Sequence, residues 1–205
     1  MISQSVKDAY YALVLPVSKL LRPIYAVHYR VKHSMIRRVH VGCGANYMEG
    51  FINIDGNLQR RVDYLLDVRA GLPFADSSID FIYSCHMLEH VYLYDAMAIL
   101  KDWLRVLRTD GYVRLVLPDF EYSLQIAQGK IVCTFPREFR NSYAQAINFL
   151  FCDGQHKYGY TQPLVEELAM KIGFARVETA SMDGDGNVSR RELPTGSFCV
   201  NLFKS

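Results

Sequence analysis

The segment HVGCGANYMEGFINID, residues 40–55, decides how the rest of the chain is read. It begins in a β-rich run, sets Gly42 and Gly44 within three positions, and closes on Asp55 at the end of a second apolar run. A glycine pair directly after a strand lets the backbone approach a ligand closely, because no Cβ stands in the way. For a dinucleotide the expected spacing is G-x-G-x-x-G with an acid about 20 residues on. Here the third glycine would fall at Tyr47 and Asp55 comes too early, which argues against a nicotinamide or flavin cofactor. The phosphate loop G-x-x-x-x-G-K-[ST] is missing too, so nucleoside triphosphate binding has no support. What remains is a glycine turn, an acid at the end of the second strand (Asp55) and another just after the third (Asp67). A carboxylate at a strand's carboxyl edge can accept both hydroxyls of a ribose, and a second can accept the exocyclic amine of adenine. That outlines an adenosine site without phosphates.

Outward from this segment, short β-rich runs alternate with helical ones, as in an α/β domain with a mainly parallel sheet. The predicted strands are 38–42, 51–55, 62–66, 79–84, 112–117, 174–180 and 197–203. Met97, Leu100, Leu104 and Leu107 give one face of a helix over about 93–108, and PREFRNSYAQAINFLF gives another after Pro136. The last helix is the best marked: Thr161 caps it, Pro163 suits its first turn and Gly173 ends it. The two strands that follow are joined by a Gly/Asn/Asp-rich turn and therefore form an antiparallel hairpin. Within that turn DGDGN, residues 183–187, imitates a calcium loop, but the twelfth position holds Pro194 instead of a glutamate. It reads as a turn.

Three ordered motifs, VGCGANYMEGFINID, DVRAGLPFADSSIDFIYSCHMLEHV and RVLRTDGYVRLVLPD, resemble a class I S-adenosylmethionine (SAM)-dependent methyltransferase of the methyltransferase type 11 kind. More narrowly, the chain is similar to small bacterial predicted methyltransferases associated with surface-polysaccharide or glycolipid biosynthesis. The resemblance runs from about residue 38 to the carboxyl terminus. It implies a Rossmann-like seven-stranded sheet flanked by helices, mainly parallel with the last strand antiparallel, and SAM as cofactor. It also implies that Gly42, Cys43 and Gly44 contact the methionine part, Asp55 the ribose, and Asp67 with the Val68 backbone the adenine, while Ser84 and Cys85 line the methionyl side. Three positions depart from the family pattern. His40 replaces an acid two residues before the first glycine, residues 45–50 are too few for a crossover helix, and LRTDG replaces the usual LKPGG turn.

Methyl transfer from a sulfonium is a displacement at carbon, so the protein mainly aligns the reactants and excludes water. A base matters when the acceptor is a hydroxyl, and an imidazole can accept that proton near neutrality. The candidate catalytic residues are His86, just past the fourth strand, His156 in the aromatic loop GQHKYGYT, and Asp119 after the fifth strand. Residues 86–90, HMLEH, also match H-x-x-E-H, which on a helix would place His86 and His90 on one metal-binding face with Glu89 activating water. The resemblance places this string at a strand-to-helix junction instead, and no residue is assigned to a metal.

Residues 1–36 read as a basic amphipathic arm and 37–205 as the methyltransferase domain. Residues 1–40 hold seven bases and one acid, against sixteen bases and twenty acids in the remainder. Tyr10, Leu13, Val14, Val17, Leu20, Leu21 and Ile24 recur at helical spacing, with Pro16 and Pro23 expected to break or kink the helix. Such a segment either lies on an anionic membrane surface or packs, on the body as an extra helix or lid or on a second copy of the protein. It shows neither a secretory cleavage site nor an apolar run of the ~20 residues needed to span a bilayer. Five cysteines without a C-x-x-C pair indicate reduced thiols and a cytoplasmic protein, peripheral at the inner face of the membrane if the arm binds lipid. A mildly acidic body without a basic stripe argues against nucleic acid as acceptor. The expected function is O-methylation of a sugar, glycan or glycolipid; the alternative is a non-catalytic cofactor-binding or membrane-surface adaptor that keeps the fold.

Overall fold

The computed structural model describes residues 4–58, 60–132, 140–181 and 193–205. The DGDGN turn and the start of the helix expected after Pro136 lie outside the described residues. Seven strands form one sheet: β1 Arg38–Val41, β2 Ile52–Asp55, β3 Tyr64–Leu65, β4 Ile79–Cys85, β5 Leu107–Pro118, β6 Arg176–Thr179 and β7 Ser197–Phe203. Their order is β3-β2-β1-β4-β5-β7-β6. The first five pair in parallel, and β7 runs antiparallel to both β5 and β6. The chain direction across the sheet therefore reverses between β1 and β4, and in such sheets ligands bind outside the carboxyl ends of the strands at that switch point. Val41 pairs with Ser84 there, which brings the Gly42–Gly44 turn beside the segment that leaves β4.

Among the described residues five α-helices accompany the sheet: α1 Gln4–His28, α2 Leu93–Val106, α3 Phe120–Ala127, α4 Ser142–Phe151 and α5 Gln162–Ile172. In α2 the buried stripe is Ala96, Ile99, Leu100, Trp103 and Val106, with Met97 and Leu104 at its margins. It ends two residues earlier than the apolar spacing predicts, because Leu107 already pairs with Ile79 in the sheet. α5 has the ends its sequence announces: the Thr161 hydroxyl accepts from Leu164 N–H, and Gly173 adopts the left-handed conformation that closes it. α3 follows Asp119, whose carboxylate accepts the Glu121 N–H as a cap.

α1 continues through Pro16 and Pro23 to His28, then runs into a π-helical turn, Tyr29–His33. Each proline removes one N–H and frees the carbonyl four residues back. Ala12 and Lys19, which own those carbonyls, are exposed, so water can satisfy them. The helix lies along the β3 edge of the sheet. Tyr10 Oη donates to Gly56 O at 2.7 Å, Ser18 Oγ accepts from Asp67 N at 2.8 Å, and Tyr25 stacks on Tyr64 with ring centroids 4.7 Å apart. An edge strand covered in this way offers few open hydrogen-bonding groups to another chain.

Parallel β1 and β2 are joined without a crossover helix, by residues 42–51 alone. Asn53, fully buried, organises that loop: its Nδ2 donates to Met48 O and Phe51 O, and its Oδ1 accepts from Met48 N. The loop places Met48 and Phe51 in a small apolar layer with Phe81, Tyr83, Val116 and Cys199. His40 packs into this layer between Tyr83 and Phe51 and is 2% exposed. It is thus a core residue and does not stand in for the acid that it replaces.

Burial lowers the His40 pKa from 6.5 to about 4. Between those values the unfolded chain takes a proton that the folded chain refuses. The stability contributed by the neutral ring is complete above about pH 6.5 and is lost as pH falls toward 4, at about 1.4 kcal/mol per pH unit. Urea unfolding of His40→Phe across this range should therefore show a shallower loss of stability than the parent, by close to one proton. Identical slopes would remove the assignment.

Candidate functional site

The glycine turn is shaped by its neighbours. Gly42 N and Cys43 N both donate to Ile54 O, at 2.9 and 3.2 Å, so the turn folds back over the end of β2. Gly42 has φ +69°, and a Cβ there would come within 2.6 Å of Met87 Cβ; only glycine lets the segment leaving β4 pass so close. At Gly44, φ +53°, a Cβ would meet nothing within 4 Å, so this position faces open space. Cys43 is 1% exposed and burial pushes its thiol up to about 12, so it stays protonated with its side chain turned into the core.

Asp55 ties the turn to the strand edge. Its Oδ2 accepts from Gly44 N at 2.8 Å and its Oδ1 from Asn57 N at 2.8 Å. Each carboxylate oxygen keeps a further lone pair, and the group is only half-buried, so it can still accept two hydroxyls. Asp67 differs. It is 5% exposed, and its carboxylate accepts from Arg69 N, Nε and Nη2, the last at 2.6 Å, so its charge is already matched within the protein. Val68, next along, is buried at the start of a 3-10 turn, Val68–Ala70. Ser84, with no exposure, lies beneath the crevice and its Oγ has no partner among the described residues, while Cys85 is half-buried beside it.

The sequence does not announce the aromatic cover of this crevice. Tyr11 of α1 lies against Gly56, where a Cβ would come within 3.0 Å of the ring. Burial, and then the charge of Asp55, push its hydroxyl up to about 12. The Tyr10–Tyr11 pair, with Gly56 directly after Asp55, is the signal that could have found it. The residues present fit an adenosine cofactor: an open glycine turn, a carboxylate with spare lone pairs, and the aromatic ring of Tyr11 beside Gly56.

The three candidate catalytic residues separate into two groups. His86 stands just past β4 in a left-handed conformation, φ +52°, and its Nε2 lies 2.8 Å from Ser197 Oγ. Asp119 N donates to Gly196 O, so His86 and Asp119 both meet the short stretch that enters β7. His156 lies elsewhere, with Nδ1 2.8 Å from Leu150 O and Nε2 4.0 Å from Glu89 Oε1. His90 joins it, its Nε2 3.9 Å from the same oxygen. The H-x-x-E-H string is not one helical face: it runs from the end of β4 through the bend at His86 into a 3-10 turn, Leu88–His90.

A separate cleft of about 670 Å³ opens between α1 and the amino ends of the strands, lined by Lys19, Arg22, Arg30, Arg37 and Arg108 among others. It lies at the opposite edge of the sheet from the glycine turn.

Residues 43–115 match the family model described as a methyltransferase domain. No curated protein matches the chain in sequence. Among solved structures, a SAM-dependent methyltransferase from Archaeoglobus fulgidus superposes with a TM-score of 0.56 at 16% identity, over 91% of this chain and 95% of that one. One from Mesorhizobium loti gives 0.52 at 18% identity, over 82% and 90%. Another from Methanosarcina mazei gives 0.52 at 15%, over 82% and 91%. At these identities the likeness is one of fold.

Asp55→Ala should weaken binding of SAM and of its demethylated product by about 1–3 kcal/mol, roughly 5- to 150-fold, measured by titration calorimetry. Affinity equal to that of the parent would remove Asp55 from the ribose site.

Proposed function

We propose that this chain, a class I S-adenosylmethionine-dependent methyltransferase, methylates a hydroxyl oxygen of a sugar, glycan or glycolipid held at a membrane surface. The observation that supports the cofactor site most directly is the Asp55 carboxylate, held by Gly44 and Asn57 N–H at the mouth of an open glycine turn. SAM supplies an electrophilic methyl group on a sulfonium. The chain's own residues bind, orient and shield. The Gly42–Gly44 backbone receives the methionine part, Asp55 accepts the ribose hydroxyls, and Val68 with the remaining acceptor capacity of Asp67 meets the adenine edge. Ser84 and Cys85 form the floor on the methionyl side. Tyr11 covers the base and keeps water out.

His86 is the group we assign to the acceptor proton. It sits at the carboxyl edge of β4, next to the turn that receives the methionine part, and its ring is oriented by Ser197 Oγ. An imidazole there can take the proton of a hydroxyl as the oxygen attacks. Asp119, from the end of β5, faces the same Gly196–Ser197 stretch and orients the acceptor.

The membrane part of the proposal rests on α1. Its inner side reaches the body through Tyr10, Ser18, Arg22 and Tyr25, and this leaves Leu13, Val17, Leu20, Ile24 and Val27 between 50 and 74% exposed along the outer side. Exposed basic side chains at Lys19 and Arg30 flank that stripe, the chemistry of a helix that lies in an anionic interface. We read the contact as peripheral; no helix among the described residues is long and apolar enough to cross a membrane.

With methyl-labelled SAM and a cell-envelope extract, label should enter the glycolipid or polysaccharide fraction. His86→Ala should lower that transfer by about 10²–10⁴-fold while leaving cofactor affinity intact. Label found only in the protein or nucleic acid fraction would contradict the acceptor class. In a flotation assay the full chain should rise with anionic vesicles and the folded double variant Leu13→Glu, Leu20→Glu should not; equal flotation would contradict the membrane role.

A further inference from the structure

Glu89 is a buried carboxyl without a matching charge or donor among the described residues. It is 1% exposed, and neither carboxylate oxygen has a hydrogen-bond partner among the described residues. A buried carboxylate in that state is expensive unless a proton or a cation meets it. The segment around it is firmly fixed, since Lys157 N and Tyr158 N both donate to Glu89 O, at 2.7 and 3.3 Å. These bonds bring the turn 152–157 over the 3-10 turn that carries Glu89 and His90.

Two imidazoles face the carboxylate, and their tautomers follow from their other partners. His156 Nδ1 lies 2.8 Å from Leu150 O, and His90 Nδ1 lies 3.2 Å from Gln155 O. A carbonyl oxygen only accepts, so in each ring the proton is on Nδ1. In the neutral imidazole this leaves each Nε2 with a bare lone pair. Those two Nε2 atoms stand 3.9 and 4.0 Å from Glu89 Oε1, and all three donor atoms lie within 4.8 Å of one another. Three potential donor atoms thus converge on one point. Histidines that bind metal commonly donate their second ring N–H to a backbone carbonyl, which is the arrangement of both rings here.

We propose that Glu89 Oε1, His90 Nε2 and His156 Nε2 bind a divalent transition-metal ion, with zinc the ion their chemistry suits best. Two imidazoles and one carboxylate are borderline donors, whereas magnesium and calcium take all-oxygen shells. With metal–ligand bonds of about 2.0–2.1 Å, the donors of a tetrahedral shell stand roughly 3.3 Å apart. The two Glu89–His spacings, 3.9 and 4.0 Å, are therefore open by about 0.6–0.7 Å, and a bound ion would draw the donors together. Three protein ligands leave a fourth position for water or another oxygen, and the His90 ring, 41% exposed, gives the ion a way in. The bound ion would fasten the end of β4 to the turn 152–157. α1 reaches the same turn, where Lys7 Nζ donates to Gln155 Oε1 at 2.9 Å and Asp8 pairs with Lys157 at 3.5 Å.

The test is direct binding, with no methyl acceptor needed. Chelator-stripped full chain is titrated with zinc by calorimetry and with cobalt(II) by visible absorption, beside Glu89→Gln and His90→Ala. The expected result is one tight site per chain, with cobalt bands showing nitrogen and oxygen ligation, a higher melting temperature in zinc, and on the order of a hundredfold weaker binding in either variant. His90 is partly exposed, so His90→Ala should fold even if Glu89→Gln does not. Equal zinc affinity in His90→Ala, or no binding and no shift in melting temperature for the parent chain, would overturn the proposal and leave Glu89 neutralised by a proton.

Discussion

The fold and its candidate chemistry meet in one carboxylate. Asp55 ends β2, yet both of its oxygens reach sideways, one to the amide of Gly44 on the neighbouring strand's turn and one to Asn57 beyond its own. Those two bonds hold the glycine turn at the point where the sheet's order reverses, so the geometry of the crevice depends on them. Asn53 does the corresponding work from below. It fills the place of a crossover helix with side-chain bonds to the loop backbone, and this lets two parallel strands follow each other across ten residues. A chain that lost either residue would keep its sheet but not the shape of the rim.

α1 changes the meaning of that rim. Its tyrosines and Ser18 reach over β3 to residues that an adenosine would touch, so the helix is a wall of the crevice as well as a cover for the sheet edge. The same helix turns its aliphatic stripe outward and contacts the turn 152–157 near its amino end. It is therefore linked by contact to the crevice and to the Glu89 cluster, while its other side is free to meet a lipid surface. A membrane that bound the stripe would hold the wall of the cofactor crevice in place at the same time.

Much of this was legible in the sequence, because local rules and tertiary structure agree over most of the chain. All seven strands lie where β-branched and aromatic runs bounded by Gly, Asp and Pro place them, and α5 keeps its Thr161 cap and Gly173 stop. α3 was not visible: it has only eight residues, and Asp119, its cap, reads equally well as an acceptor-side acid. Apolar spacing alone left open which way the stripe of α1 faces. The structure leaves Leu13, Val17, Leu20 and Ile24 exposed, because the helix docks through the polar tips of tyrosines, a serine and an arginine. His40 needed the structure too, since only packing between Phe51 and Tyr83 shows that it is a neutral core ring. The grouping of His156 with Glu89 and His90 could not be read from spacing, because the backbone bonds from Lys157 and Tyr158 that create it join distant parts of the chain.

An amide-resolved NMR titration of the full chain with S-adenosylhomocysteine tests the central claim most directly. The account predicts saturable shifts centred on Gly42, Gly44, Asn57 and Val68, with the Tyr11 region of α1 responding as the base slides beneath it. Shifts confined to the basic cleft at the opposite edge of the sheet, or none at any concentration, would contradict it.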